Sequence, residues 1–230
     1  MCGALNFVAN RAALLITCSL GQKSHMKFIL GEKIGMSQIW KDDKIVPVTL
    51  IKSGPIIVTQ IRNKDKDGYE AIQVGFGEKK SKNINKAQRG HFKNLGNFRY
   101  LREFRIKKNG DEANLKVGDI LKTDQFSEGD KVEVDGLTKG RGFQGGVKRH
   151  GFKGGPKTHG QKNRLRAPGS IGATAPQRVM PNRKMAGRMG LENMKIINLK
   201  IAGVDVEKNI LMINGSVSGR KGTLLKIYAK

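Results

Sequence analysis

GLTKGRGFQGGVKRHGFKGGPKTHGQKNRLRAPGSIGATAPQRVMPNRKMAGRMGL, residues 136–191, is the stretch that sets how the rest of this chain is organised. It contains thirteen Lys or Arg, thirteen Gly and no Asp or Glu, so it supplies +13 of the formal net charge of +25. Charges of one sign at this density repel each other and oppose compaction of the free segment. A dense polyanion would relieve that repulsion, and phosphate backbone is the obvious candidate. The composition therefore predicts a nucleic-acid-binding protein.

The same stretch lacks the periodicity of a helix or a strand. Its large apolar residues stand almost always alone among glycine and basic residues: Leu137, Phe143, Val147, Phe152, Leu165 and Ile171. A segment of this kind buries too little apolar surface to offset the entropy that it loses on ordering. We therefore predict that residues 136–190, called the arm below, form an extended loop that is ordered by its partner.

The sequence on either side of the arm is rich in β-forming residues. Short runs bounded by turn signals predict strands at residues 27–30, 37–40, 45–51, 56–61, 71–76, 98–106, 131–134, 194–201, 209–214 and 223–228, with helical character at 83–95. Many short strands at this spacing favour a closed antiparallel barrel over a parallel sheet. The predicted fold is thus mainly β: an antiparallel β-barrel with a small helical insertion and a long basic, glycine-rich extended loop. Residues 26–135 form its first part, the arm interrupts it, and residues 191–230 supply the closing strands.

Residues 1–25 form an extension outside this pattern. Residues 12–20 (AALLITCSL) resemble the apolar core of a signal peptide, but Arg11 is the only positive charge before them and no clear cleavage site follows. The stretch is too short to span a membrane. The alternative interpretation is that the true start is Met26. Both cysteines, Cys2 and Cys18, lie in the extension, so we expect neither a disulfide framework nor a cysteine zinc site in the rest of the chain.

Two stretches of the arm approach known enzyme motifs, and both fail. GRGFQG (140–145) matches the dinucleotide fingerprint, but that motif needs an acidic residue about twenty positions further on. None occurs before Glu192. GFKGGPKT (151–158) is one residue from a Walker loop, but Pro156 stands at its last glycine position and has no N–H to direct at phosphate. We therefore predict no enzymatic activity, no cofactor and no small-molecule substrate.

The arm contains two histidines, His150 and His159. No carboxylate or thiol lies in the arm to complete a metal site or to orient an acid–base pair. We therefore predict that both histidines stack on bases or hydrogen-bond to phosphate or sugar, and that the protein binds no metal.

Most of the aromatic residues and methionines are interpreted as packing residues. Trp40 and the phenylalanines outside the arm are predicted to lie in the barrel core. Phe143 and Phe152 have two open interpretations, either as wedges against RNA bases or as contacts back onto the barrel. The methionines are interpreted as adaptable apolar contacts where the arm returns to the domain: Met180, Met185 and Met189.

Three longer motifs resemble one known family. They are VEVDGLTKGRGFQGGVKRHGFKGGPKTHGQKNRLRAPGSIG (132–172), RKMAGRMG (183–190) and FILGEKIGMSQIW (28–40). Together they resemble the bacterial form of the large-subunit ribosomal protein of the L-three family, from residue 26 to the end. The resemblance implies a barrel of the translation-factor type on the ribosome, with a long two-stranded loop that runs through large-subunit rRNA toward the peptidyl transferase centre. It also implies a role in early subunit assembly, contacts with the neighbouring L-fourteen and L-nineteen proteins, a cytoplasmic location in the ribosome and no membrane partner.

The resemblance also assigns roles along the arm. Side chains expected to bind rRNA are Lys139, Arg141, Lys148, Arg149, His150, Lys153, Lys157, His159, Lys162, Arg164, Arg166, Arg178, Arg183, Lys184 and Arg188. The tip expected near the peptidyl transferase centre comprises Ser170, Ile171, Gly172, Ala173, Thr174, Ala175 and Pro176. Some bacterial relatives carry a methylated glutamine at the tip. Residues 173–175 are Ala-Thr-Ala here, so that modification is not carried over.

Two other classes of function compete with this one. A nonspecific nucleic-acid-coating protein would bind duplex DNA and rRNA with comparable affinity, and its charge would not need to be gathered in one internal arm. An RNA-modifying enzyme would need a cofactor fingerprint or a supported acid–base pair, and neither motif examined above provides one.

Overall fold

The computed structural model describes residues 27–92, 95–106 and 115–229. Within these ranges the protein is mainly β, which confirms that part of the predicted fold. The predicted extension at residues 1–25 lies outside the described residues, and so do positions 93 and 94 of the predicted helical segment.

The elements are numbered in chain order. The strands are β1 (Phe28–Lys41), β2 (Lys44–Lys52), β3 (Ile56–Arg62), β4 (Ala71–Glu78), β5 (Phe98–Arg105), β6 (Ile120–Leu121), β7 (Lys131–Leu137), β8 (Gly142–Gln144), β9 (Gly187–Met189), β10 (Asn193–Asp205), β11 (Ile210–Asn214) and β12 (Leu224–Ala229). The α-helices are α1 (Lys64–Asp67), α2 (Lys86–Phe92) and α3 (Gly146–His150).

Six strands pair in a closed antiparallel ring, called the barrel below. Their order is β1–β12–β7–β10–β11–β2, and the hairpin between β1 and β2 closes the series. Alternate side chains fill the inside, as Val132 and Val134 of β7 and Leu225 and Ile227 of β12 illustrate, since all four are fully buried. Successive side chains of a strand point to opposite faces, which is why buried and more exposed residues alternate along these strands.

Three strands expected in the barrel belong to a second sheet instead. β5, β4, β3 and the short β6 pair in that order, so these strands lie outside the barrel. The chain departs from the barrel at Ser53, whose N–H donates to the Asn209 carbonyl oxygen (2.9 Å). Pro55 follows and has no N–H with which to continue the barrel ladder. β3 therefore starts a new set of partners.

The second sheet packs against the barrel through aromatic side chains. Phe104 of β5 is fully buried, with its ring 4.4 Å from that of Phe28 and 5.1 Å from that of Tyr228. Side chains from both sheets therefore share one hydrophobic core. This packing fixes β5 beside β12, close to the point where the arm begins.

The prediction that Trp40 lies in the core is wrong. β1 and β2 continue as a hairpin beyond the part of β1 that pairs with β12, and Trp40 pairs with Ile45 near its end. Trp40 is 72% exposed because no described element covers the hairpin there. Phe28, Phe76, Phe104 and Phe126 do lie in the hydrophobic core cluster, whereas Phe92 is buried outside that cluster.

The helical insertion is shorter than predicted. A 3-10 turn occupies Ser81–Asn83, and α2 is described only from Lys86 to Phe92. Phe92 is buried, and its ring meets that of Phe98 edge-on at 5.4 Å, which docks the helix onto the second sheet.

Candidate nucleic-acid interface

The arm leaves the barrel as a continuation of two neighbouring strands. β7 and β10 pair as far as Leu137 and Asn193, and the Thr138 N–H then donates to the Glu192 carbonyl oxygen (2.9 Å). Beyond this point β8 pairs with β9. We call these paired segments, residues 137–144 and 187–193, the root. The periodicity of the sequence had indicated no regular structure here, because strands of three residues are too short to show a period.

A close backbone crossing fixes the direction in which the arm leaves. Gly190 has a φ of +77°, and a side chain at this position would collide with the carbonyl oxygen of Lys139. Leu191 also has a positive φ, +58°, which is unfavourable for a bulky residue. The root ladder must therefore hold this backbone in place, and only glycine fits at position 190.

A single helical turn follows the root. Gly151 follows α3 and caps it: its φ is +73°, and its N–H donates to the carbonyl oxygens of Gly146 and Val147. The ring of Phe152 folds back against Gly146 and lies 5.8 Å from the ring of His150. Phe152 thus packs within the arm, which is neither of the two interpretations offered for it. Phe143 is 76% exposed on β8.

Side chains of α3 tie the two halves of the arm together. Arg149 Nη1 donates to the Met185 carbonyl oxygen (2.8 Å), and His150 Nε2 donates to the same oxygen (3.0 Å). The guanidinium also lies over Gly187, where a Cβ would come within 2.6 Å of Nη1. The structure therefore gives Arg149 and His150 an internal role that the sequence did not indicate.

Two further links order the outer part of the arm. The Gly155 N–H donates to the Leu165 carbonyl oxygen (3.0 Å), which closes the loop between them. Arg183 Nη2 donates to the Ser170 carbonyl oxygen (2.6 Å), so an arginine from the returning half anchors the start of the predicted tip. These contacts join residues far apart in sequence, and no local motif indicates them.

The remaining predicted rRNA-binding side chains are exposed: Lys139, Arg141, Lys148, Lys153, Lys157, His159, Lys162, Arg164, Arg166, Arg178, Lys184 and Arg188. The arm has no carboxylate of its own with which they could pair. The seven tip residues are exposed as well and carry no charge. The arm is therefore a hydrogen-bonded scaffold with a cationic surface and a neutral end.

A cleft of about 990 Å³, called the root cleft, opens where the arm joins the barrel. Its basic lining residues are Arg102, Lys139, Arg141, Arg220 and Lys226. The sequence alone did not indicate three of these, Arg102, Arg220 and Lys226. They come from β5, the turn before β12 and β12 itself, and only the fold brings these segments together.

The described residues provide no metal centre and no membrane-spanning helix. Within residues 27–92, 95–106 and 115–229, no three His, Cys, Asp or Glu side chains gather in a way that could hold a metal ion. No helix in the same ranges is long and apolar enough to cross a membrane.

Comparison with known proteins places this architecture in a family. The family model described as "Ribosomal protein L3" matches residues 103–209, which include the arm with β7 and β10. The chain is 50% identical over 202 residues to "Large ribosomal subunit protein uL3" of Roseiflexus sp. (strain RS-1), covering 86% of this chain and 95% of the relative. It is also 46% identical over 205 residues to the protein of that name from Finegoldia magna, covering 88% of this chain and 97% of the relative. With half of all aligned positions identical over nearly the whole relative, the chain belongs to the ribosomal protein L3 family.

Proposed function

We propose that this protein is a structural constituent of the large ribosomal subunit, and that its arm binds large-subunit rRNA. The observation that carries the proposal is the exposed cationic surface of the arm, which has no carboxylate of its own to neutralise it. The relatives named as large ribosomal subunit proteins support the same assignment. The role is architectural and not enzymatic.

The arm acts by neutralising phosphate where rRNA helices would otherwise repel one another. Lysines supply point charges, whereas arginines add bidentate and stacked contacts. Arg149, His150 and Arg183 act in a different way, because their hydrogen bonds to Met185 and Ser170 keep the two halves of the arm together. Less ordering entropy is then lost on binding than a fully unstructured loop would lose.

Recognition is by shape. Glycines let the arm backbone approach rRNA more closely than a loop rich in large side chains would. The deep groove of A-form RNA offers little sequence readout, so the contacts are to phosphates, 2′-hydroxyls and unpaired bases. Specificity therefore belongs to the folded rRNA and not to a short sequence.

The family resemblance extends the proposal to the surroundings of the protein. The six-stranded ring is a barrel of the translation-factor type, and the arm reaches toward the peptidyl transferase centre with residues 170–176 at its tip. The protein joins the subunit early in assembly, contacts the L-fourteen and L-nineteen proteins and resides in cytoplasmic ribosomes.

Salt-resistant co-sedimentation tests this function. A tagged copy of the chain should co-sediment in stoichiometric amount with large subunits and stay bound during a wash at about 1 M salt, where the Debye length is only about 3 Å. An interleaved arm resists such a wash because it is enclosed and makes many contacts at once. A nonspecific coating protein would be released and would bind duplex DNA as well as rRNA, and either result would contradict the proposal.

A further inference from the structure

The root cleft lies between the barrel and the second sheet, beside the first residues of the arm. Lys226 forms part of its floor, since its Nζ donates to the Glu103 carbonyl oxygen (3.2 Å) and lies over the Phe104 ring. One wall is the turn that carries Arg220, whose N–H donates to Thr223 Oγ1 (3.1 Å). The cleft is therefore built from side chains and a turn that the fold already holds in position.

The same turn is braced from below. Lys33 Nζ donates to the carbonyl oxygens of Val217 (2.6 Å) and Gly219 (3.2 Å), immediately before Arg220. Burial lowers the pKa of Lys33, and nearby Lys139 lowers it further. Positive charge is thus crowded on both sides of the turn.

The lining of the cleft is strongly cationic. Its five basic side chains face a single lining carboxylate, that of Asp135. Burial lowers the pKa of Lys226, and the positive charge of Arg102 lowers it further. An anion in the cleft would relieve this repulsion, and guanidinium groups suit phosphate because they can bind it through two parallel hydrogen bonds.

The lining also has apolar surface that a simple anion site would not need. Leu137 and Leu191 line the cleft and are 41% and 51% exposed, and Tyr100 lines it from β5. A paired A-form helix is a convex cylinder whose bases are stacked inside it, so it cannot fill a concavity of this kind. An unpaired nucleotide can place its phosphate on the basic residues and its base against the apolar ones.

We infer that the root cleft holds an unpaired segment of the same rRNA that binds the arm. An acidic peptide is the weaker candidate, because Lys139 and Arg141 belong both to the cleft and to the arm, which makes the two surfaces continuous. This inference rests on the proposed function, and it adds a second point of rRNA contact that does not depend on the outer arm.

A site-specific cross-link tests the inference in assembled large subunits. A photo-reactive phenylalanine analogue replaces Leu137 in the cleft, and in a control chain it replaces Val117, which is 55% exposed and does not line the cleft. Irradiation should join position 137, and not position 117, to an rRNA nucleotide that chemical probing identifies as unpaired. A cross-link to protein or to a paired nucleotide, or the lack of any cross-link in subunits that contain the chain, would overturn the inference.

A charge-matched pair of variants gives an independent readout. Arg102→Ala with Arg220→Ala should remove the chemical protection of the cleft nucleotide, whereas Lys80→Ala with Lys82→Ala, an equal loss of charge outside the cleft, should leave it protected. Equal protection in both variants would also overturn the inference.

If the unaltered chain does not co-sediment with large subunits, the proposed function itself fails. Co-sedimentation without a cleft contact defeats only the inference.

Discussion

Single basic residues in the arm divide into two kinds. Arg149 donates to the arm's own backbone, while its neighbour Lys148 is exposed and has no carboxylate in the arm to pair with. The two side chains carry the same charge and lie next to each other in sequence. The composition therefore predicts the same role for both residues. Their roles differ only because the returning half of the arm brings the Met185 carbonyl oxygen within reach of Arg149.

Salt dependence should distinguish the two kinds of residue. Lys148→Gln removes a proposed phosphate contact, so the slope of log affinity for large-subunit rRNA against log salt should become shallower by about 1. Arg149→Gln should lower the affinity roughly fivefold, the equivalent of about 1 kcal/mol for a lost hydrogen bond, without changing that slope. Arg149→Lys should not restore the affinity. Full rescue by lysine would mean that Arg149 acts mainly as a charge.

The contrast between Trp40 and Phe104 is a second prediction at this scale. Phe104→Ala should lower the unfolding free energy by about 3–5 kcal/mol, because the ring is fully buried between the two sheets. Trp40→Ala should change it by less than about 0.5 kcal/mol, since the side chain is mostly exposed. Urea denaturation followed by circular dichroism measures both. A large loss in the Trp40 variant would place that side chain in the core after all.

At the scale of elements, runs of β-forming residues between turn signals located the strands but not their partners. Residues 131–134 and 223–228 were predicted as strands, and β7 and β12 are found there. The division into two sheets escaped prediction because a period of two gives the face on which a side chain lies and not the strand that pairs with it. The root cleft could not be predicted for the same reason, since Arg102 and Arg220 come close together only through the arrangement of the strands.

The second sheet contains a carboxylate that should make its stability depend on pH. Glu103 of β5 accepts hydrogen bonds from Arg62 Nε (2.8 Å) and the Tyr69 hydroxyl (2.9 Å). Burial acts to raise the pKa of Glu103, but these hydrogen bonds outweigh it and hold the pKa below its ordinary value. The folded protein therefore binds the Glu103 proton less readily than the unfolded chain does.

Glu103→Gln tests this dependence. A lowered pKa stabilises the fold above the ordinary glutamate pKa, and that stabilisation is lost as the pH falls through the folded-state value. The variant should therefore be less stable than the parent at neutral pH, and the difference should shrink on acidification. Urea titrations across this range measure it. A difference that does not vary with pH would mean that Glu103 contributes only through packing.

At the scale of the whole molecule, the arm is separable from the core. Residues of the arm do not belong to the hydrophobic core cluster of the described residues, and β7 and β10 pair with each other before the arm begins. Replacing residues 140–187 with a short linker should leave a cooperative thermal melt but abolish incorporation into large subunits. Circular dichroism and co-sedimentation measure the two effects. Loss of the cooperative melt would make the arm part of the folding unit.

The tip and the cationic surface should fail in different ways. A bulky residue at Ala173 or Thr174 should leave subunit yield nearly normal but alter peptide-bond formation, because this exposed, uncharged end is proposed to approach the peptidyl transferase centre. Replacing Lys162, Arg164 and Arg166 with alanine should lower subunit yield through lost phosphate contacts. Both variant sets need both measurements on purified subunits. Tip variants that fail only in assembly would contradict this division.

The pairing of Phe28 with Tyr228 joins residues 200 positions apart, and this separation affects how the barrel folds during synthesis. At a synthesis rate of about 5–20 residues per second, β12 is made roughly ten to forty seconds after β1. During that time one barrel edge is unpaired, while the cationic arm has already emerged and can capture any RNA nearby. Closure between such distant segments is also slow in itself. The barrel therefore closes only after nearly the whole chain, including the cationic arm, has been synthesised.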